Sequence, residues 1–262
     1  MIDFEFKKSL GQNFLTDKNY LEKIVKVSNL EPNNLVIEIG PGSGNLTKEI
    51  AKNSNKVLCY EIDKRLEPIL KDNLKEFNNI DIIFDDFLKR DIKKDLENYN
   101  YNNLYVIANL PYYITTPIIE KLIESNINLK QITIMIQKEV GDRFAATPKT
   151  KDYNSLTIYL NYYFNIKKEF IVSRNAFIPK PNVDSIVITL KRKDNLLYLK
   201  DKELFNKLLK DSFKFKRKTI KNNLNNYDLK KIEEILNKYN FNLNTRAEEI
   251  PLEVFVEITN NL

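Results

Sequence analysis

Leu35-Val36-Ile37-Glu38-Ile39-Gly40-Pro41-Gly42-Ser43-Gly44 is a short apolar run that ends in three alternating glycines. The run reads as a buried strand and the glycines as the turn that leaves it. Leu46, Ile50 and Ala51 follow at helical spacing, which completes a strand–turn–helix unit. Outward from that unit the pattern repeats. Residues 56–62 form a second strand-like run, and Leu66, Ile69, Leu70 and Leu74 then recur with a helical period. Residues 80–84, 104–108 and 132–136 are further strand candidates, with Ile118, Ile119, Leu122 and Ile123 on one helical face between the last two. Strands alternating with helices at this spacing predict βαβ units and a parallel sheet, hence an α/β fold. Residues 166–172 and 183–190 read as strands with no helix between them, and predict an antiparallel hairpin at one edge.

After Leu190 the pattern changes. Leu204, Leu208 and Leu209, then Leu229, Ile232, Ile235 and Leu236, keep a helical period, and Val254, Val256 and Ile258 are short apolar repeats near the end. Two domains are expected, 1–190 and a small all-helical domain over 191–262. The charge divides in the same way. Lys and Arg exceed Asp and Glu by six in the whole chain, and residues 191–262 carry 16 basic against 11 acidic side chains. A nearly neutral body with a basic tail suggests a polyanionic partner on the tail. Lysine and asparagine are abundant throughout, 35 of each against 7 arginines, so part of that balance is background composition.

Composition also excludes chemistries. The chain has no histidine and one cysteine, Cys59, so disulfides, zinc clusters and histidine-based triads are out, and no metal is expected. No run of about eighteen apolar residues is present, so no transmembrane helix is expected. Residues 1–10 resemble neither a signal nor an import sequence, and a cytoplasmic protein is expected. Cys59, on a strand, is expected to be an inert buried thiol.

The glycine turn lets backbone approach a ligand closely. A dinucleotide fingerprint would need glycine at position 45, where Asn45 stands, and no Lys-Ser/Thr pair follows as a phosphate loop requires. Glu61 closes the second strand, where a carboxylate can accept hydrogen bonds from ribose hydroxyls, and Asp86 follows the third, placed to accept from an adenine amino group. That set fits a nucleoside without a polyphosphate, and S-adenosylmethionine is the candidate.

Asn109-Leu110-Pro111-Tyr112 follows the fourth strand. A proline turn can aim the Asn109 side-chain oxygen and the Leu110 carbonyl at one point, where they would hold both hydrogens of a planar exocyclic amine. Tyr112 can stack on the attached base. Preorganised acceptors of this kind are worth about 2–4 kcal/mol to a transition state, by analogy with oriented donors. Phe177, held in Phe-Ile-Pro-Lys-Pro, offers a second aromatic face to a flipped base.

Five stretches together resemble the small-subunit ribosomal RNA adenine dimethyltransferases, the family linked to kasugamycin sensitivity. They are Lys8-Ser-Leu-Gly-Gln-Asn-Phe-Leu15, Ile37-Glu-Ile-Gly-Pro-Gly-Ser-Gly44, Asn109-Leu-Pro-Tyr-Tyr-Ile-Thr-Thr-Pro117, Gln137-Lys-Glu-Val-Gly-Asp-Arg-Phe144 and Phe177-Ile-Pro-Lys-Pro-Asn-Val-Asp-Ser185, with a sixth over residues 213–224. The resemblance implies a Rossmann-like class I methyltransferase with a seven-stranded, mostly parallel sheet and a helical C-terminal domain. It implies S-adenosylmethionine as cofactor and two methyl transfers to each of two adjacent adenosines near the 3′ end of small-subunit rRNA, as part of ribosome biogenesis. It implies cofactor contacts at Asn13, Leu15, Gly40, Glu61, Asp86 and Asn109, and a base sandwiched by Tyr112 and Phe177. Position 113 is Tyr where many relatives have Asn, which makes the pocket more apolar. Two other readings stay open: an enzyme that methylates one adenine of large-subunit rRNA, and a non-catalytic RNA-binding factor on the same scaffold.

Ser212-Phe-Lys-Phe-Lys-Arg-Lys-Thr-Ile-Lys221 has five basic residues, no acid and two phenylalanines. Read as a helix, it puts Lys214, Arg217, Lys218 and Lys221 on one face, suited to RNA phosphates. The partner expected is small-subunit rRNA or its precursor particle, bound by a monomer.

Overall fold

The computed structural model describes residues 13–110 and 114–262. Its main sheet has seven strands: β2 (Asn34–Ile39), β3 (Lys56–Tyr60), β4 (Ile80–Ile83), β5 (Asn103–Asn109), β6 (Leu129–Gln137), β7 (Phe164–Val172) and β9 (Ser185–Arg192), in the order β4-β3-β2-β5-β6-β9-β7. The first five run parallel, and β9 lies antiparallel to β6 between it and the edge strand β7. Val36, Ile37, Leu58, Val106, Ile107 and Ile134 are fully buried. Strands covered on both faces read as continuous apolar runs, which is why the sequence shows them. A second, two-stranded sheet that the sequence did not announce pairs β1 (Phe14–Leu15) with β8 (Phe177–Ile178), Leu15 opposite Phe177.

The chain leaves β2 to build β3 and β4 on one side, then returns to lay β5 on the other side of β2. The strand order therefore reverses between β2 and β5, and the carboxyl ends of those strands diverge there. The first helix, α1 (Lys18–Val27), is capped by Asp17, whose carboxylate accepts from the Asn19 N–H, and buries Leu21, Ile24 and Val25. The second, α2 (Asn45–Asn53), starts directly from Gly44. Leu21, Ile24, Leu46 and Ile50 share one core with Val36, Val57, Ile107 and Met135 of the sheet. Helices α3 (Glu67–Asn73), α4 (Ile92–Leu96), α5 (Thr115–Glu124) and α6 (Lys138–Phe144) follow β3, β4, β5 and β6 in turn.

Contacts divide the chain into two compact units. One holds Met1–Gly141 with Lys167–Arg192, the other Asp142–Ile166 with Lys193–Leu262. A boundary falls close to the expected 190, but residues 142–166 group with the C-terminal helices. The reason is aromatic. In the second unit Tyr153 packs edge-on to Phe213 (centroids 6.3 Å apart) and donates its hydroxyl to the Ile250 carbonyl, while Tyr162 contacts Phe205 at 5.4 Å and donates to the Leu197 carbonyl. These tyrosines lie on or beside a helix, α7 (Ser155–Tyr163), with Asn154 and Thr157 forming its capping box. The unit is completed by α8 (Lys202–Ser212), α9 (Ile220–Asn223), α10 (Leu229–Lys238) and α11 (Leu252–Asn261). The apolar repeat Val254, Val256, Ile258 belongs to α11, which is buried on several sides.

The expected basic helix over 214–221 is not formed. Helix α8 ends at Ser212, residues 213–218 make a turn, and only Lys221 lies on a helix, the short α9. One side chain ends the helix: Asn223 accepts from the Phe215 N–H and donates to the carbonyls of Ser212 and Phe215. Lys214, Arg217, Lys218 and Lys221 are all exposed, but on a turn and the helix after it rather than on one helical stripe. Among the described residues, no helix is long and apolar enough to cross a membrane.

Candidate active site

Four parallel strands deliver their carboxyl ends to one cavity of about 270 Å³ in the first unit. Gly40 follows β2, Glu61 follows β3, Asp85 and Asp86 follow β4, and Asn109 ends β5; all line the cavity, with Asn13, Leu15 and Leu110. The sequence had picked out most of these residues from strand ends alone, and topology brings them together at the point where strand order reverses.

The glycine turn is shaped for a close ligand. Gly40 has φ of +72°, and a side-chain carbon built there would meet nothing within 4 Å. Gly42, at φ +59°, is closed on its other side by the Phe14 ring, 2.7 Å from where a Cβ would stand. The Gly42 N–H donates to Glu61 Oε2 at 3.1 Å and the Asp63 N–H to Oε1 at 2.8 Å. The carboxylate is thus oriented by backbone N–H groups. Burial pushes the Glu61 pKa up, opposed by the backbone N–H groups of Asp63 and Gly42. Behind it, Glu38 is buried, and its pKa is pushed up to about 8, first by desolvation. The Cys59 thiol donates to Glu38 Oε2 at 3.6 Å and is itself held protonated by burial and that carboxyl.

Asp86 caps the turn after β4: its Oδ1 accepts from the Leu88 N–H at 3.0 Å, and its own N–H donates to Asp85. That N–H is the largest of the influences that lower the Asp85 pKa, with Arg90 also pulling it down. Asn109 Nδ2 donates to the Asn13 carbonyl at 3.1 Å. The bond fixes which end of the amide is oxygen and leaves Oδ1 as its acceptor end. Asn45, which spoiled the dinucleotide fingerprint, donates to the Leu15 carbonyl at 3.1 Å. Two asparagines thus hold the segment carrying Asn13 and Leu15 over the ends of β2 and β5.

Two expected residues stand apart. Tyr112 lies outside the described residues. Phe177 does not line the cavity: it is 4% exposed and packed in the core with Leu15 and Val172. Residues 177–178 pair with 14–15, and that pairing turns the Phe177 ring inward. Sequence reasoning missed Ile62, an exposed apolar residue lining the cavity directly after Glu61, at 55% exposure. Its position in an apolar run hid it; only the end of β3 at Tyr60 shows that Ile62 has left the sheet.

A nucleoside with a short zwitterionic tail fits this donor set: backbone at a glycine turn without a phosphate cradle, an oriented carboxylate, an acid at the next strand end and an apolar face at Ile62. Fold and site together define a Rossmann-like methyltransferase. The family model described as ribosomal RNA adenine dimethylase matches residues 3–262. The chain is 45% identical to the ribosomal RNA small subunit methyltransferase A of Streptococcus gordonii, with 99% of this chain and 92% of that protein covered, and 46% identical to that of Bacillus pumilus with the same coverage. Its structure is similar to a dimethyladenosine transferase from Plasmodium falciparum (TM-score 0.79, 26% identity, 94% and 95% of the two chains). It is also similar to the 23S rRNA methyltransferase ErmE (TM-score 0.74, 25% identity, 95% and 99%). The chain belongs to the ribosomal RNA adenine dimethylase family. It is a methyltransferase, and S-adenosylmethionine is the cofactor of that family.

Proposed function

We propose that the enzyme transfers two methyl groups to the exocyclic amine of each of two adjacent adenosines near the 3′ end of small-subunit rRNA, in the cytoplasm, during assembly of the subunit. The observation that carries this reading is the convergence of Gly40, Glu61, Asp86 and Asn109 on one cavity in a chain of this family. Gly40 and Asn13 hold the methionine end of S-adenosylmethionine, Glu61 its ribose hydroxyls, Asp86 its adenine amino group, with Ile62 against the adenine ring and Leu15 closing over it. Bound there, the cofactor supplies an electrophilic methyl group.

The chain's own part is to hold the target amine. Asn109 Oδ1 and the Leu110 carbonyl accept its two hydrogens, which turns the nitrogen lone pair toward the methyl donor. No strong base is required, since the amine proton becomes acidic only as the nitrogen gains a methyl group, and it then leaves to water. Tyr112 stacks on the base. The second unit contacts RNA through the Lys214–Lys218 turn and Lys221.

The test is incubation of the purified enzyme and S-adenosylmethionine with small- and large-subunit rRNA, followed by mass spectrometry of nuclease fragments. Two neighbouring dimethyladenosines in the small-subunit RNA are expected. Modification confined to the large-subunit RNA would overturn the substrate assignment, and no modification of either, without thermal stabilisation by the cofactor, would overturn the catalytic one.

A further inference from the structure

Phe215 is a large aromatic side chain left 55% exposed in the most basic stretch of the molecule. It sits in the turn between α8 and α9, flanked by Lys214, Lys216, Arg217 and Lys218, and residues 214–218 are all exposed. No acid occurs from Ser212 to Lys221. The acid just before the turn, Asp211, accepts the Tyr227 hydroxyl at 2.6 Å. The neighbouring Phe213, by contrast, is packed against Tyr153 and Phe255, so the pair divides into an anchor and an outward-facing ring.

The backbone that carries the outward ring is held in place. Asn223 grips both backbone groups of Phe215: its Oδ1 accepts the Phe215 N–H at 3.2 Å, and its Nδ2 donates to the Phe215 carbonyl at 3.3 Å and the Ser212 carbonyl at 2.7 Å. The Lys218 N–H donates to the Phe215 carbonyl at 2.9 Å and closes the turn. Lys214 Nζ lies over the ring, 5.6 Å from its centroid, in a cation–π contact. Preorganising the turn that presents an exposed apolar ring lowers the ordering cost of binding a flat partner.

We propose that Phe215 is a stacking platform for an unpaired RNA base, with Lys216, Arg217 and Lys218 gripping the phosphates on either side. The inference rests on the RNA-directed reading above and adds to it a contact to a base rather than to backbone. Two chemical facts select this occupant. An aromatic face set among cations binds unstacked nucleotides, because each base offers a π surface beside a charged backbone. A protein partner fits poorly, since lysine is depleted where protein interfaces desolvate. A paired helix also fits poorly, because its bases are already stacked on one another and its surface is read by shape and phosphate.

The chain contains no tryptophan, so Phe215→Trp installs a single reporter at the site. Binding of a short single-stranded RNA and of a duplex of equal length is measured by anisotropy, in parallel with tryptophan emission. Phe215→Trp is expected to keep wild-type affinity for the single strand, with its emission quenched on binding, and to show little quenching with the duplex. Phe215→Ala and Phe215→Leu are expected to lose roughly 5- to 150-fold in affinity for the single strand, the range for one base–aromatic stack. Their log K against log salt slope should equal that of wild type, because no charge is removed. Unquenched emission in a saturated complex, or full affinity in Phe215→Leu, would overturn stacking. Unchanged RNA affinity with loss of binding to assembled small subunits would assign the ring to a protein instead. A wild-type chain that binds neither RNA would overturn the RNA-directed reading itself, and this inference with it.

Discussion

Asn109 ties two events to one amide. Its nitrogen end holds the Asn13 carbonyl, so the oxygen end of this cavity-lining amide is the acceptor that remains. Asn109→Ala removes an acceptor that acts on the transition state, and methyl transfer in a single turnover should fall roughly 10²- to 10³-fold, with rRNA affinity unchanged. A decrease below tenfold would take the acceptor role from it. Glu38 makes a different prediction, about pH. Its carboxyl moves from an ordinary value of 4.5 to about 8 when buried. Between those values the folded state binds more protons than the unfolded chain, so stability falls as pH rises from about 4.5 to about 8 and then levels off. Glu61 shifts in the same direction. Glu38→Gln removes the larger share, and its denaturation midpoint should exceed that of wild type increasingly from about pH 5 to about pH 8. A constant difference across that window would contradict the buried neutral carboxyl. Residue identity was legible here: a carboxylate at a strand end or an asparagine after one is visible without coordinates. The Asn45 contact with Leu15 was not, because it joins segments far apart in the chain.

At the level of elements, the glycine turn and the β1–β8 pair support one another. Gly42 needs glycine twice over, for its positive φ and for the Phe14 ring against its Cα. Gly42→Ala should cost roughly 1–2 kcal/mol from backbone alone, and more from displacing Phe14. It should also weaken S-adenosylmethionine binding in calorimetric titration, since the Gly42 N–H orients Glu61. Gly40→Ala carries only the backbone part in stability, because nothing stands where its Cβ would go. Equal melting points for the two variants would remove the Phe14 argument. Strands β2, β3 and β5 were readable because burial on both faces leaves an unbroken apolar run. Helix α7 was not, since Ile158, Leu160, Tyr162 and Tyr163 are buried around its circumference and no polar stripe marks it. The basic turn misled for the opposite reason: its charges fall at helical spacing, while the Asn223 side chain supplies the bonds that end the helix.

Across the whole molecule, the two compact units divide the proposed work, cofactor in the first and RNA backbone in the second. Changing Lys216, Arg217 and Lys218 together to alanine should lower rRNA affinity and reduce the salt slope by roughly 0.7–0.9 for each phosphate no longer neutralised. Cofactor affinity, read by calorimetry, should not move, because every cavity residue lies in the first unit. A weaker cofactor complex in that variant would break the division of labour. The amino-acid order by itself determined the parallel sheet, the glycine turn and the acids and amide at successive strand ends, because these depend on periodicity and on which residue follows which strand, and its quoted motifs carried the family resemblance. Only tertiary structure decided that residues 142–166 join the C-terminal helices, that Phe177 turns inward against Leu15 and that Phe215 turns outward. Those outcomes depend on which distant segment supplies a packing partner or a hydrogen bond, and local spacing carries no record of that choice.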